Sequence, residues 1–317
     1  MSAWRTLLPK EHGAYGQIAF PLAAAFGVAG VSLGSLLFSG AAIAAFLAHE
    51  PAAIALGLRG PRVKRELGGA AAPLVYSLLA LAIVAGIAAA IVVDPAVRWS
   101  FAIPAMPGLL LAVAMVRGRE KSGYGETVAA MAFAGLAVPV TMAAGTSFDV
   151  ACAVAIPFAL LFITSTLAVR VVILRVRGGG DPGAATATRR VTLAICTGSF
   201  AVIGLLALAR WLQPAVMLSA TPGLLTAAIV AVRPPAPARL RFLGWSLVAV
   251  STLTAVIVVT TLNGSIAQRI SSTVNRRALS DVEGRGSEVP RIHSNFLDAS
   301  VPLRVNFSVP PGRGKLH

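Results

Sequence analysis

Two of the four histidines in this chain adjoin a glutamate, at Glu11-His12 and at His49-Glu50. Each pair sits at the edge of an apolar stretch, where an imidazole and a carboxylate together suit proton transfer or a divalent cation. Glu11, His12, His49 and Glu50 are therefore the candidate ligands for magnesium or a transition metal. Farther along, Glu126 follows Arg117, Arg119 and Lys121 across a Ser-Gly-Tyr-Gly turn, and Thr166 and Arg170 stand four apart on one helical face. Guanidinium and ammonium groups suit phosphate or diphosphate. This makes Arg59, Lys121, Thr166 and Arg170 the candidate substrate-binding residues, and His12, His49, Glu50 and Glu126 the candidate acids and bases of catalysis.

The same residues also have plain structural uses. His49 and Glu50 could form an interhelical hydrogen-bond pair that only fixes packing. Arg170 could snorkel to lipid headgroups, and Glu126 could complement the dipole at the start of its helix. The cations from Arg59 to Lys64 fit a topogenic loop. The run from Lys10 to Gly16 is different, because a polar segment with two glycines at the mouth of an apolar helix has no packing need for both Glu11 and His12.

The elements that must hold these side chains are apolar helices. Hydrophobic residues make up 56% of the chain and charged residues only 12%, with a mean hydropathy of +0.80, which excludes an ordinary water-soluble domain. Nine stretches, near 16–30, 33–57, 70–93, 98–116, 126–144, 150–174, 190–211, 214–232 and 240–262, read as membrane helices. Ala, Gly and Val dominate them, as expected where helices approach closely in lipid. The fold class is thus an all-α polytopic transmembrane bundle.

Charge orients it. Seventeen cations fall in alternate connections, from Arg5 and Lys10 through Arg59–Arg65, Arg117–Lys121 and Arg170–Arg190 to Arg233–Arg241, whereas the opposite connections hold only Arg98 and Arg210. Short Lys- and Arg-rich loops stay inside, so the expectation is a bacterial inner-membrane protein with a cytoplasmic N-terminus. The net charge of +15 is spread over these loops and is accounted for by topology and anionic lipid, with no nucleic-acid partner. Cys152 and Cys196 lie inside apolar helices and read as small buried hydrophobes.

Two further features concern organisation. After Leu262 the composition turns polar and rich in Ser, Arg, Pro and Gly, so residues 1–262 form the membrane domain and 263–317 an extended or disordered tail. A faint repeat relates Phe46 to Phe162 and Arg59 to Arg175, both 116 residues apart. It implies two four-helix halves plus a ninth helix, with a site where the halves meet. Pro51 removes a backbone donor directly after His49-Glu50 and is expected to kink or end its helix.

The segment Pro9-Lys10-Glu11-His12-Gly13-Ala14-Tyr15 resembles the opening signature of the YwiC-like family of bacterial membrane proteins. Ala48-His49-Glu50-Pro51 and the stretch from Thr166 to Arg170 are similar to that family too, and the resemblance runs over about residues 8–260. It implies topology and site positions without a reaction. More distantly, nine helices with polar ends on helices two and six are similar to the UbiA superfamily of prenyltransferases. That likeness implies magnesium held by Asp-rich motifs and gripping an isoprenoid diphosphate. This chain departs from it: Glu50 and Glu66 stand where an Asp pair would be, and only Asp181 follows helix six.

Three readings follow. The first is a UbiA-like scaffold whose cytoplasm-facing cavity binds or transfers a phosphate-bearing, prenyl-type lipid. The alternative is a transporter using His49, Glu50 and Arg170 as a proton or anion relay. The third is an assembly or packing subunit with no ligand.

Overall fold

The computed structural model of the protein describes residues 7–9, 12–176, 182–236 and 239–286. Among them every regular element is helical. In chain order these are α1 (His12–Ala29), α2 (Leu33–Ala55), α3 (Pro61–Val92), a 3-10 turn (Pro95–Phe101), α4 (Ala102–Val116), α5 (Gly123–Gly135), α6 (Ala137–Ala143), α7 (Phe148–Val176), α8 (Pro182–Leu208), α9 (Pro214–Val232) and α10 (Leu240–Gly286).

Eight segments, from Leu33–Ala55 to Leu240–Gly264, are long and apolar enough to cross a membrane, and Gly13–Ala29 is a shorter apolar helix. The chain is an all-α, multi-pass integral membrane protein. Each expected span has its helix, but α3 and α8 begin earlier than expected, at Pro61 and Pro182, and α10 runs on to Gly286. The single helix expected over 126–144 is two, because Pro139 has no N–H to continue the ladder. The bonds Leu136 N to Phe133 O and Val140 N to Leu136 O lengthen there to 3.3 and 3.4 Å. The fourth span begins as a 3-10 turn, with Pro95 in its first position and the Asp94 side chain accepting from Ala96 N.

The core centres on α6 and α7. Ala137 through Met142 are all buried, and α7 buries Val154, Phe158, Leu161, Phe162 and Val172 against α5, α6, α8 and α9. At the α7–α9 crossing a β-carbon on Gly223 would lie 2.9 Å from Cδ1 of Leu161, a contact only a small residue permits. Only 6% of the most apolar window of α3 is buried, so this helix leans on α2 and is otherwise exposed along its length. Between α1 and α10, Gly27 faces Val259, and Asn263 Nδ2 donates to the Gly27 carbonyl at 3.0 Å, satisfying a C-terminal acceptor of α1.

Two pairs of helix ends keep the expected repeat spacing, whereas α2 and α7 end at Ala55 and Val176, 121 residues apart. α3 and α8 end at Val92 and Leu208, and α4 and α9 at Val116 and Val232, each pair 116 residues apart. The chain divides into two compact units, Met1–Gln268 and Arg269–His317. Where the composition of residues 263–317 predicts an extended tail, the backbone is helical as far as Gly286; residues 287–317 lie outside the described residues.

Candidate functional site

The site grows from the end of α2. Pro51 does not end this helix: α2 continues to Ala55 with the proline buried inside it. Packed neighbours support a proline within a membrane helix, so the missing N–H does not terminate it. The chain then reverses over Gly57 and Gly60, at φ of 81° and 101°, which suit glycine alone. Pro61 opens α3 immediately afterwards.

This reversal returns Arg59 to the last turns of α2. Its Nη2 donates to Oε2 of Glu50 at 2.5 Å, and its Nε donates to Oε1 at 3.1 Å. A planar guanidinium gripping a carboxylate in this way is a strong, geometrically specific pair. Hydrogen bonding to Glu50 holds the Arg59 pKa above the ordinary arginine range, against the opposing effect of burial. Arg59 is therefore charged at every physiological pH.

A second acid joins from the loop between α4 and α5. Arg59 Nη1 and Nη2 donate to Oε2 and Oε1 of Glu120 at 3.4 and 3.5 Å, longer than its bonds to Glu50. His49 Nε2 lies 3.3 Å from Oε1 of Glu120 but lacks the alignment of a hydrogen bond. The side chains of His49, Glu50, Arg59 and Glu120 are 25, 15, 21 and 14% exposed, at the rim between protein and solvent. One guanidinium thus serves two carboxylates.

The loop that carries Glu120 is tightly built. Ser122 caps α5, its Oγ accepting from Gly125 N at 3.2 Å and donating to the Arg119 carbonyl at 2.6 Å. Arg170, from α7, crosses above Gly123 and donates through Nη1 to Oε2 of Glu126 at 3.1 Å and to the Lys121 carbonyl at 3.5 Å. Two consecutive residues thus join both clusters: Glu120 reaches the α2 end, and Lys121 receives α7. Thr166, one turn before Arg170, is half-buried and joins neither pair.

The N-terminal segment meets the same end of the bundle. Leu7 is buried with Ile54 and Ala71, and Tyr15 Oη donates to the Pro9 carbonyl at 3.1 Å. The chain is therefore anchored on both sides of residues 10–12. Lys10 and Glu11 lie outside the described residues, and of His12 only the backbone is described, so the roles expected for Glu11 and His12 have no side-chain geometry here. Toward the membrane interior the site rests on rings. Tyr15 meets Phe46 edge-on with centroids 5.2 Å apart, and Phe46 meets Phe133 at 5.5 Å.

Among the described residues no three His, Cys, Asp or Glu side chains converge as a metal site. The donors present do not fit the magnesium pair of a UbiA-like enzyme, because both Glu50 oxygens are engaged by Arg59. The sequence pattern gathers His49, Glu50, Arg59, Lys121, Glu126, Thr166 and Arg170 at one expected cavity, without the pairing of Arg59 with Glu50 or of Arg170 with Glu126. It passed over Glu120. The available signal was a lone acid among Arg117, Arg119 and Lys121, a loop otherwise explained by topology alone.

Residues 8–142 match the family model described as YwiC-like protein. The match covers α1 to α5 and nearly all of α6, with His49, Glu50, Arg59, Glu120 and Glu126, and stops short of α7 and Arg170. It is shorter than the resemblance over 8–260 expected from the motifs. No curated protein and no solved structure matches the chain.

Proposed function

We propose that this membrane protein seats the phosphate-bearing headgroup of a prenyl-type lipid at the rim formed by the α2 end, the α4–α5 loop and the Arg170 turn of α7. The observation that carries this reading is the charged rim standing on the Tyr15–Phe46–Phe133 ladder. A polar mouth over an aromatic floor complements an amphiphile, with headgroup above and tail beside the helices. Arg59, Lys121 and Arg170 supply the cations that phosphate recognition requires. His49 beside Glu120, together with Glu126, supplies acid–base groups for a lipid-linked group transfer. The scaffold is UbiA-like in helix number and in the position of its polar ends, and the rim faces the cytoplasm of a bacterial inner membrane, in keeping with the cation bias of the loops.

Transport is less well supported. A relay would need polar groups continuing from His49 toward the opposite end of α2. Beyond Phe46 the polar side chains on that helix are hydroxyls, and Ser39 and Ser35 already donate to the Ser35 and Ser32 carbonyls at 2.8 Å.

Native mass spectrometry of the detergent-purified chain tests the proposal, with the His49→Ala/Glu50→Ala double variant alongside. A phosphate lipid that co-purifies with the wild-type protein and is lost in the folded variant is the expected result. Equal retention in both, or none in either, would overturn it.

A further inference from the structure

Arg59 holds its two carboxylates unequally, and the inequality has a chemical consequence. Glu50 lies on the same helix end, accepts from Nε and Nη2, and reaches Arg59 at 2.5 Å. Glu120 comes from a separate loop and meets the outer nitrogens at 3.4 and 3.5 Å, beyond the 2.7–2.9 Å of a strong charge-assisted bond. The Glu50 pair positions the guanidinium. The Glu120 pair occupies the face left over.

We infer that Glu120 is a built-in stand-in for the ligand's anion, a carboxylate that fills the outer face of Arg59 and is exchanged for phosphate when the ligand arrives. This rests on the headgroup reading above and adds the competition that governs it. Phosphate offers the same donors more oxygen acceptors and more charge than a carboxylate. The displaced Glu120 has a second neighbour ready, because His49 Nε2 already lies 3.3 Å from Oε1 without an aligned hydrogen bond. The exchange would turn an unaligned contact into a made one. It also has a mechanical route outward, since Lys121, the next residue, carries the carbonyl that receives Arg170 at 3.5 Å. Movement of Glu120 would therefore be felt at the Arg170–Glu126 pair.

The test uses the full chain in phosphatidylcholine nanodiscs, titrated with dodecyl phosphate and separately with inorganic phosphate. Removing the competing charge in Glu120→Gln should tighten dodecyl phosphate binding about tenfold, the scale set by losing one close like charge. Glu66→Gln, which removes an exposed acid paired with Arg62, should stay within about twofold. Arg59→Ala and Arg59→Lys should both abolish the tightening. Binding that depends on Arg59 but is unchanged or weakened by Glu120→Gln overturns the exchange and leaves the headgroup reading standing. So does an equal gain from Glu66→Gln, or a gain that survives Arg59→Ala. Tightening for inorganic phosphate alone supports the exchange and overturns the lipid as its source. No binding in any folded sample overturns both.

Discussion

Gly125 lies so close beneath the Glu120 carbonyl that a β-carbon there would stand 2.2 Å from the oxygen, and 2.7 Å from that of Arg119. Both obstacles are backbone, so the loop and not a side chain must give way. Gly125→Ala is expected to push residues 119–120 outward and pull Glu120 from Arg59 and His49. A cost of about 1–3 kcal/mol is expected from overpacking at such a site. Gly40→Ala is the control, because an added methyl there meets nothing within 4 Å. Thermal unfolding in detergent should show a clear loss for Gly125→Ala and none for Gly40→Ala. Equal melting temperatures would mean that the loop is not seated on this glycine.

The Arg59–Glu50 pair should behave as a coupled unit. It is neither fully exposed nor deeply buried, so a coupling of about 1–2 kcal/mol is expected, between the values of surface and interior pairs. The double-mutant cycle of Arg59→Ala and Glu50→Ala, read by unfolding in mixed micelles, measures it. Arg59→Lys keeps the charge but lacks the planar fork, and should recover less than half of the coupling. Full recovery by lysine would show that charge alone matters.

Much of this arrangement was legible beforehand because membrane physics is simple. Apolar length marks the spans, and alternate cation-rich loops mark one end. His49, Glu50 and Arg59 stood out because ionisable groups at a helix rim need partners. What escaped was set by loop geometry. Nothing in local spacing says that the turn over Gly57 and Gly60 folds Arg59 back on Glu50, nine residues earlier. Glu120 was masked by its neighbours Arg117, Arg119 and Lys121, whose topogenic reading explained the loop without it. Pro51 and Pro139 show the limit of proline as punctuation: the first stays inside α2, and the second divides α5 from α6.

The crossing of α7 and α9 should be sensitive to one methyl. On Gly223 a β-carbon would lie 2.9 Å from Leu161 Cδ1 and 3.2 Å from its Cα. The side chain can turn aside, but the backbone atom cannot without separating the helices. Gly223→Ala is expected to destabilise the bundle by about 1–3 kcal/mol. Pairing it with Leu161→Ala tests the mechanism, because a smaller residue 161 should relieve the δ-carbon clash and leave only the contacts with its β-carbon, at 3.0 Å, and its Cα. The cycle should therefore recover part of the loss; strict additivity would show that the two residues do not press on each other.

A buried hydroxyl supplies the last test. Thr254 in α10 is fully buried, and its Oγ1 has no hydrogen-bond partner among the described residues. Its neighbours along the helix behave otherwise: Ser251 donates to the Leu247 carbonyl at 2.8 Å and Thr261 to that of Ile257 at 2.6 Å. An unsatisfied buried hydroxyl lowers stability relative to a methyl of the same shape. Thr254→Val should therefore be neutral or stabilising, by up to about 1 kcal/mol. Thr141 in α6 is equally buried but donates to the Ala137 carbonyl at 2.6 Å. Thr141→Val should accordingly cost about 0.5–1.5 kcal/mol, the net worth of a made hydrogen bond. Opposite signs in the two melting temperatures are the expected outcome. A loss at Thr254 as large as that at Thr141 would mean that its hydroxyl has a partner within the bundle.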